Sequence, residues 1–163
     1  MIVSYLPLYI HRKDCAGINM VALCDHRFVF IWVDYSSPGS HHDSKIFSEG
    51  GGYDFIKRMR SKVSDDQLYI LGDAGFPISD MLITPFRPSS VDTNAMVQFN
   101  KPFSNRRVTT ERAFGILKRR FQILDTRLEY DFKGCQFMIH AVLSLHNLLV
   151  IRGYTSPIDV KLL

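Results

Sequence analysis

Cysteine is scarce in this chain of 163 residues: there are three. Cys15, Cys24 and Cys135 are too widely spaced for a disulfide framework or a CxxC metal knuckle, and they fit a reducing, intracellular setting. No apolar run approaches the ~18–20 residues that a membrane span needs. The opening MIVSYLPLYI is hydrophobic but has neither a basic n-region nor a small-residue cleavage site, so it does not read as a signal peptide. Apolar from its first residue, it reads as the interior of a domain. Internal repeats and low-complexity tracts are lacking too. With 46% hydrophobic and 22% charged residues, the composition is that of a globular chain. Its length predicts one domain over residues 1–163, enough to bury roughly two-thirds of its unfolded surface.

Acidic residues are sparse in one stretch. Residues 101–133 hold nine Lys and Arg against four acids, so the segment carries +5 of a net charge of +4 and the remainder about −1. A concentrated basic strip is the footprint of a polyanionic partner, although a solvated helix face has the same composition.

GINMVALCD (17–25) and FVFIWVDY (28–35), rich in β-branched and aromatic residues, predict an antiparallel hairpin turning at Asp25-His26-Arg27. SSPGSHHDS (36–44) has loop chemistry. Residues 44–60 predict a helix interrupted by Gly50-Gly51-Gly52, and QLYIL (67–71) predicts a buried strand. The stretch 87–107 reads mostly as loop, with prolines at 77, 85, 88 and 102 in and before it. In VTTERAFGILKRRFQIL (108–124) the steps between Phe114, Leu117, Phe121 and Leu124 place one stripe on a helix, with Thr109 or Thr110 as N-cap. FKGCQFMIHAVLSLHNLLVIRGY predicts a long apolar helix that packs on a sheet and stops at Arg152-Gly153. This order predicts an α/β or α+β fold, a mixed sheet with flanking helices.

The acids fall at telling places. Asp73, in LYILGDAGFP, follows the end of a buried strand, where α/β folds put their chemistry. The glycines at 72 and 75 leave space around it, although an Asx-turn accounts for a lone Gly-Asp as well. Asp43 follows a Pro-Gly turn with His41 and His42 beside it. Glu111 opens the basic helix, where an acid also complements the helix dipole. Three acids from a loop, a strand end and a helix start have the chemistry to hold Mg²⁺ or Mn²⁺. Beside a basic strip, such a site suits two-metal phosphodiester hydrolysis.

Several segments taken together carry a resemblance: YIHRKDCAGINMVALCD, SPGSHHDSKIF, YILGDAGFP, FNKPFSNRRVTTERAFGILKRRFQIL and AVLSLHNLLV. In this order, over residues 9–150, the chain resembles the DDE endonuclease domain of PIF/Harbinger transposases and Harbinger-derived nucleases. The resemblance implies an RNase H-like fold and a divalent-metal-dependent nuclease site that cuts DNA. It matches Asp73 to the acid at the end of the fourth strand, Glu111 to the acid on the following helix, and Asp43 to an additional acid near the metals. It makes Arg107 and Lys118, with Arg119 beside them in the basic strip, candidate DNA phosphate contacts. His146 and Asn147 match a family LHN pattern read as structural, and His140 is read the same way, as a satisfied core histidine. A nuclear setting is implied, with a separate Myb-like DNA-binding protein as partner. The chain shows no helix-turn-helix of its own.

One departure bears on activity. The family's first acid lies at the end of the first strand, upstream of a Y-x-x-RK segment. Here Tyr9 and Arg12-Lys13 have only eight residues before them, none acidic, and Asp14 is out of register. MIVSYLPL has the hydrophobicity of a strand, but Pro7 lacks the ladder donor. The expectation is therefore an N-terminally incomplete domain without its first central strand and first acid. That leaves two readings, a metal-dependent nuclease or a domesticated, non-catalytic DNA- or protein-binding module. A haloacid dehalogenase-type phosphatase is disfavoured, because the D-x-D-x-T motif is missing and Asp80 is too far from Asp73.

Overall fold

A computed structural model of the chain describes residues 2–8, 18–38, 42–63, 68–126 and 130–155. Five strands form one mixed sheet: β1 (Ile2–Leu8), β2 (Ile18–Cys24), β3 (Phe30–Pro38), β4 (Ile70–Leu71) and β5 (Leu82–Ile83), in the spatial order β3-β2-β1-β4-β5. β1, β2 and β3 pair antiparallel with one another, β4 joins β1 in parallel and β5 joins β4 in parallel. The helices are α1 (Asp43–Glu49), α2 (Gly52–Val63), α3 (Asn94–Arg120) and α4 (Phe132–Ile151). The α/β expectation holds.

The central strand is present, which corrects the expectation that it is missing. Ile2–Leu8 pairs along its whole length with β2, from Ile2 opposite Cys24 to Leu8 opposite Ile18. Its other side meets β4 at Ile2 opposite Leu71. Pro7 lies at the far end, beyond the reach of the two-residue β4, so its missing N–H takes no rung from that pairing.

Strand β2 explains the layering. Its residues alternate between two cores, as the two-residue period of a strand requires. Ile18, Met20, Ala22 and Cys24 join Phe114 and Leu117 of α3 and Ile139 and Val142 of α4. Val21 and Leu23 join Ile46 and Phe47 of α1, Ile56 of α2, and Ile70, Phe76 and Leu82 around β4 and β5. A strand buried on both faces reads as a continuous apolar run, as INMVALC does.

The 87–107 stretch is the second correction. Rather than a loop followed by a helix capped at Thr109 or Thr110, α3 starts at Asn94 with Thr93 as N-cap, whose hydroxyl accepts from Met96 N–H at 3.3 Å. The helix passes through Pro102. Local packing offsets the lost helical bond. Asn100 grips the backbone of Phe86, accepting from its N–H and donating to its carbonyl, both at 2.9 Å. The Phe86 and Phe99 rings then meet edge-on and the Phe99 and Phe103 rings at a tilt, with centroids 5.3 and 5.2 Å apart. Two boundaries also shift: β3 extends to Pro38, and Asp43 is the first residue of α1, not part of a loop.

Helix α4 ends where the sequence places it, with Gly153 at φ +91° just beyond. At 20 residues and a mean hydropathy of 1.5 it has the length and composition of a membrane span, contrary to the expectation that no run comes close. Its inner face is nonetheless committed to the domain, with Cys135, Ile139, Val142, Leu143, His146 and Val150 buried.

Candidate functional site

Strand β4 delivers Asp73. Gly72 N–H extends the β4–β5 pairing by donating to the Ile83 carbonyl at 2.9 Å, and the chain then leaves the sheet. Asp73 Oδ1 accepts from Gly75 N–H at 2.7 Å, and its carbonyl accepts from Phe76 N–H at 3.2 Å. The Asx-turn predicted as the alternative is thus present, and it leaves Oδ2 of a half-buried carboxylate available. Gly72 is tightly held: a Cβ there would lie 3.0 Å from Leu82 and 3.3 Å from Phe76.

Asp43 reaches the same region from α1. Burial pushes its pKa above the usual carboxylate range, and the charge of Asp73 pushes it further in the same direction, while His42 opposes both. Two carboxylates repelling each other at a strand end form a pair that a divalent cation would relieve.

Glu111 does not complete a cluster. It stands on the exposed side of α3, next to the fully buried Thr110. It lies well inside α3 rather than in the first turn, so the helix-dipole reading of this acid falls away. Among the described residues, no three His, Cys, Asp or Glu side chains are grouped to hold a metal ion together. Carboxylates suit a hard cation, and two of the three expected acids, Asp43 and Asp73, lie near enough to act on each other's charge. β1, reading IVSYLPL, contributes no acid.

The basic residues differ among themselves. Lys118 Nζ is paired with Asp125 Oδ1 at 2.9 Å and is half-buried. Arg119 is exposed. The side chain of Arg107, and Asp14 altogether, lie outside the described residues.

The LHN segment is structural, as read. His146 is buried with Nε2 3.0 Å from the Phe28 carbonyl, and its ring packs 5.0 Å from that of Phe30. Burial lowers its pKa to about 4. Asn147 accepts from Phe30 N–H at 2.9 Å and donates to the Phe30 carbonyl at 2.8 Å. The pair fastens α4 to the hairpin. His140 is not a core residue: it is exposed, with Nδ1 3.1 Å from the Tyr35 hydroxyl.

Asp34 is a residue the sequence reading missed. It is buried on β3, with Oδ1 accepting from Ser36 N–H at 2.7 Å and Oδ2 pressed against Gly50. A Cβ at Gly50 would sit 1.7 Å from Asp34 Oδ2 and 2.8 Å from the Ile46 carbonyl. Gly50 against Asp34 and Gly52 against the Phe47 ring thus make a close-packed corner between α1 and α2, with Gly51 turning between them at φ +79°. The sequence signal was the run itself, read as an interruption without a partner.

The fold and site define a class: an α/β domain that sets acidic side chains at a strand end, with a basic helix in the same fold. Residues 6–147 match the family described as DDE superfamily endonuclease, and the chain belongs to that family. Among curated proteins it is similar to the Mus musculus protein named "Putative nuclease HARBI1", at 28% identity over 156 residues, 92% of this chain and 43% of that protein. HARBI1 of Homo sapiens is 26% identical over 155 residues, 91% of this chain and 43% of its own. The protein named ALP1-like of Arabidopsis thaliana is 26% identical over 146 residues, 82% of this chain and 35% of its own. The chain thus spans less than half the length of these relatives. No solved structure matches.

Proposed function

We propose that this chain is the RNase H-like portion of a divalent-metal-dependent DNA endonuclease of the Harbinger-derived type. The observation that carries the reading is the Asp43–Asp73 pair at the end of β4, in a chain of an endonuclease family. The strand order β3-β2-β1-β4-β5, antiparallel and then parallel, supports the RNase H-like reading. Asp43 and Asp73 would hold Mg²⁺ or Mn²⁺, and Glu111 of α3, which stands apart from them here, would have to move towards them to add a third ligand. When bound, the cation supplies Lewis acidity to water and to a phosphate oxygen. The protein's own part is positional: β4 and its Asx-turn fix Asp73, α1 fixes Asp43, and the basic helix, with Arg119 exposed on it, engages DNA phosphates. We extend the proposal to a nuclear location and a separate Myb-like DNA-binding partner.

The test is nicking of supercoiled plasmid by the full-length protein in Mg²⁺ or Mn²⁺. Cleavage that needs the metal and disappears in Asp73→Asn supports the reading; metal-independent cleavage, or none, overturns it. Metal binding gives a second readout. Because burial and Asp73 raise the Asp43 pKa, protons compete for this site at higher pH than at an ordinary carboxylate, so Mn²⁺ affinity should begin to fall at correspondingly milder acidity.

One observation favours a second reading, a non-catalytic DNA- or protein-binding module: Glu111 does not join the two aspartates in a three-ligand group. That reading expects salt-dependent DNA binding unchanged by Asp73→Asn. It fails if Lys118→Glu combined with Arg119→Glu leaves DNA binding intact.

A further inference from the structure

Helix α4 has two apolar faces, and among the described residues only one packs into the domain. The inner face carries Cys135, Ile139, Val142, His146 and Val150. On the opposite side Phe137 is 68% exposed, Leu145 49%, Leu148 48% and Ile151 66%. At 100° per residue, Phe137, Ser144, Leu148 and Ile151 fall within one narrow stripe, diametrically opposite the buried one. A run of large apolar side chains this exposed marks an interaction surface.

We propose that this stripe is an interface between two copies of the chain, formed by antiparallel packing of α4 on α4 about a two-fold axis at Ser144. The pattern is self-complementary. Phe137 lies seven residues before Ser144 and Ile151 seven after, so an antiparallel pair sets each Phe137 against the other copy's Ile151. Ala141 and Ser144, small and exposed, leave room near the axis for close approach.

Charge selects the same register. Lys133 stands at the N-terminal end of the stripe, with Nζ 5.9 Å from the Phe137 ring centroid. In the antiparallel register it faces Thr155 and the negative end of the second helix dipole, while Arg152 faces Gln136. No like charges meet, and the two dipoles oppose favourably. A parallel pair would set Lys133 on Lys133. A groove of about 410 Å³, lined by Tyr35, Lys133, Gln136, Phe137 and His140, adjoins this end of the stripe. It would receive the Ile151 end of the second helix.

The inference is independent of the nuclease reading. The full-length protein is measured by light scattering across a concentration series reaching about 100 µM, where a modest interface populates its dimer. A dimer is expected for the wild type and a monomer for Phe137→Glu. A wild-type monomer throughout, or a dimer unaffected by Phe137→Glu, overturns the proposal. Geometry gives a second test, because only residues on a two-fold axis meet their own copies. Ser144→Cys should give a disulfide-linked dimer under mild oxidation and Gln136→Cys should not. Equal cross-linking at both positions, or at neither, overturns the two-fold arrangement. Flotation of the wild-type protein with neutral lipid vesicles, lost in Phe137→Glu, would assign the stripe to a membrane and refute the dimer.

Discussion

The two faces of the sheet are covered by helices held in different ways. On the α3/α4 face, side chains fasten the helices: His146 and Asn147 reach the backbone of Phe28 and Phe30 in the hairpin, and Asn100 clamps Phe86 in the loop after β5. On the α1/α2 face aromatic packing joins a charged clamp, Arg60 of α2 donating to the carbonyls of Leu68 and Asp80. Phe47 packs edge-on against Trp32, Tyr53 and Phe76 with centroids 5.1, 5.1 and 5.9 Å apart, and the glycine corner closes over Asp34. The acids Asp43 and Asp73 belong to the second face. Clamps from side chain to backbone thus serve both faces; the α3/α4 face relies on neutral polar ones, and the steric α1/α2 face, which holds the carboxylate pair, adds an edge-on aromatic cluster and a crowded glycine corner.

The sharpest way to break the polar face is acid. His146 has a pKa of about 4 in the fold against 6.5 for the free side chain. The unfolded chain therefore binds the extra proton first as pH falls, and stability drops between about pH 6.5 and 4 and levels off below. The full swing is about 3 kcal/mol. Urea titrations across this pH range check it, and His146→Leu should flatten the profile. A wild-type profile without this slope would remove the claim that His146 is held neutral.

The steric face has a counterpart of slightly smaller size. Gly50→Ala should cost about 2–3 kcal/mol, because the new methyl meets Asp34 Oδ2 and the Ile46 carbonyl. The comparison predicts coupling: in an Asp34→Ala background the same substitution should cost at least about 1 kcal/mol less. Equal costs in both backgrounds would mean that the corner relaxes elsewhere. On the polar face, Asn147→Ala strips both partners from Phe30 and should cost about 2 kcal/mol by thermal unfolding.

How much of this was legible beforehand depended on the range of the cause. The β2–β3 hairpin, the stop of α4 at Gly153 and the placing of Asp73 after a strand rest on local pattern, and all three hold. The start of α3 did not, because Pro102 and its neighbours carry a loop signature that contacts with Phe86 override. The centrality of β1 was hidden by Pro7, whose cost depends on how far the neighbouring strand extends. Asp34 against Gly50 and Asn147 against Phe30 are long-range pairings that a single sequence does not display. The mutual placing of Asp43 and Asp73 was legible mainly through the family's motifs, since spacing alone favours the Asx-turn over a metal ligand at a lone Gly-Asp.

The smallest expected effect distinguishes two neighbouring charges on one helix. Lys118 is tied to Asp125 at 2.9 Å, whereas Arg119 is exposed at the adjacent position. If the basic helix contacts DNA, each phosphate neutralised contributes about 0.9 to the slope of log affinity against log salt. Arg119→Gln should lower that slope by about 1, and Lys118→Gln by less, because part of the Lys118 charge is already offset within the protein. Asp125→Asn should act in the opposite direction, freeing Lys118 and strengthening binding at low salt. Equal slopes for Lys118→Gln and Arg119→Gln would mean that DNA draws Lys118 away from Asp125. The ion pair would then be a feature of the free protein, and the basic strip would act on phosphates as a single surface.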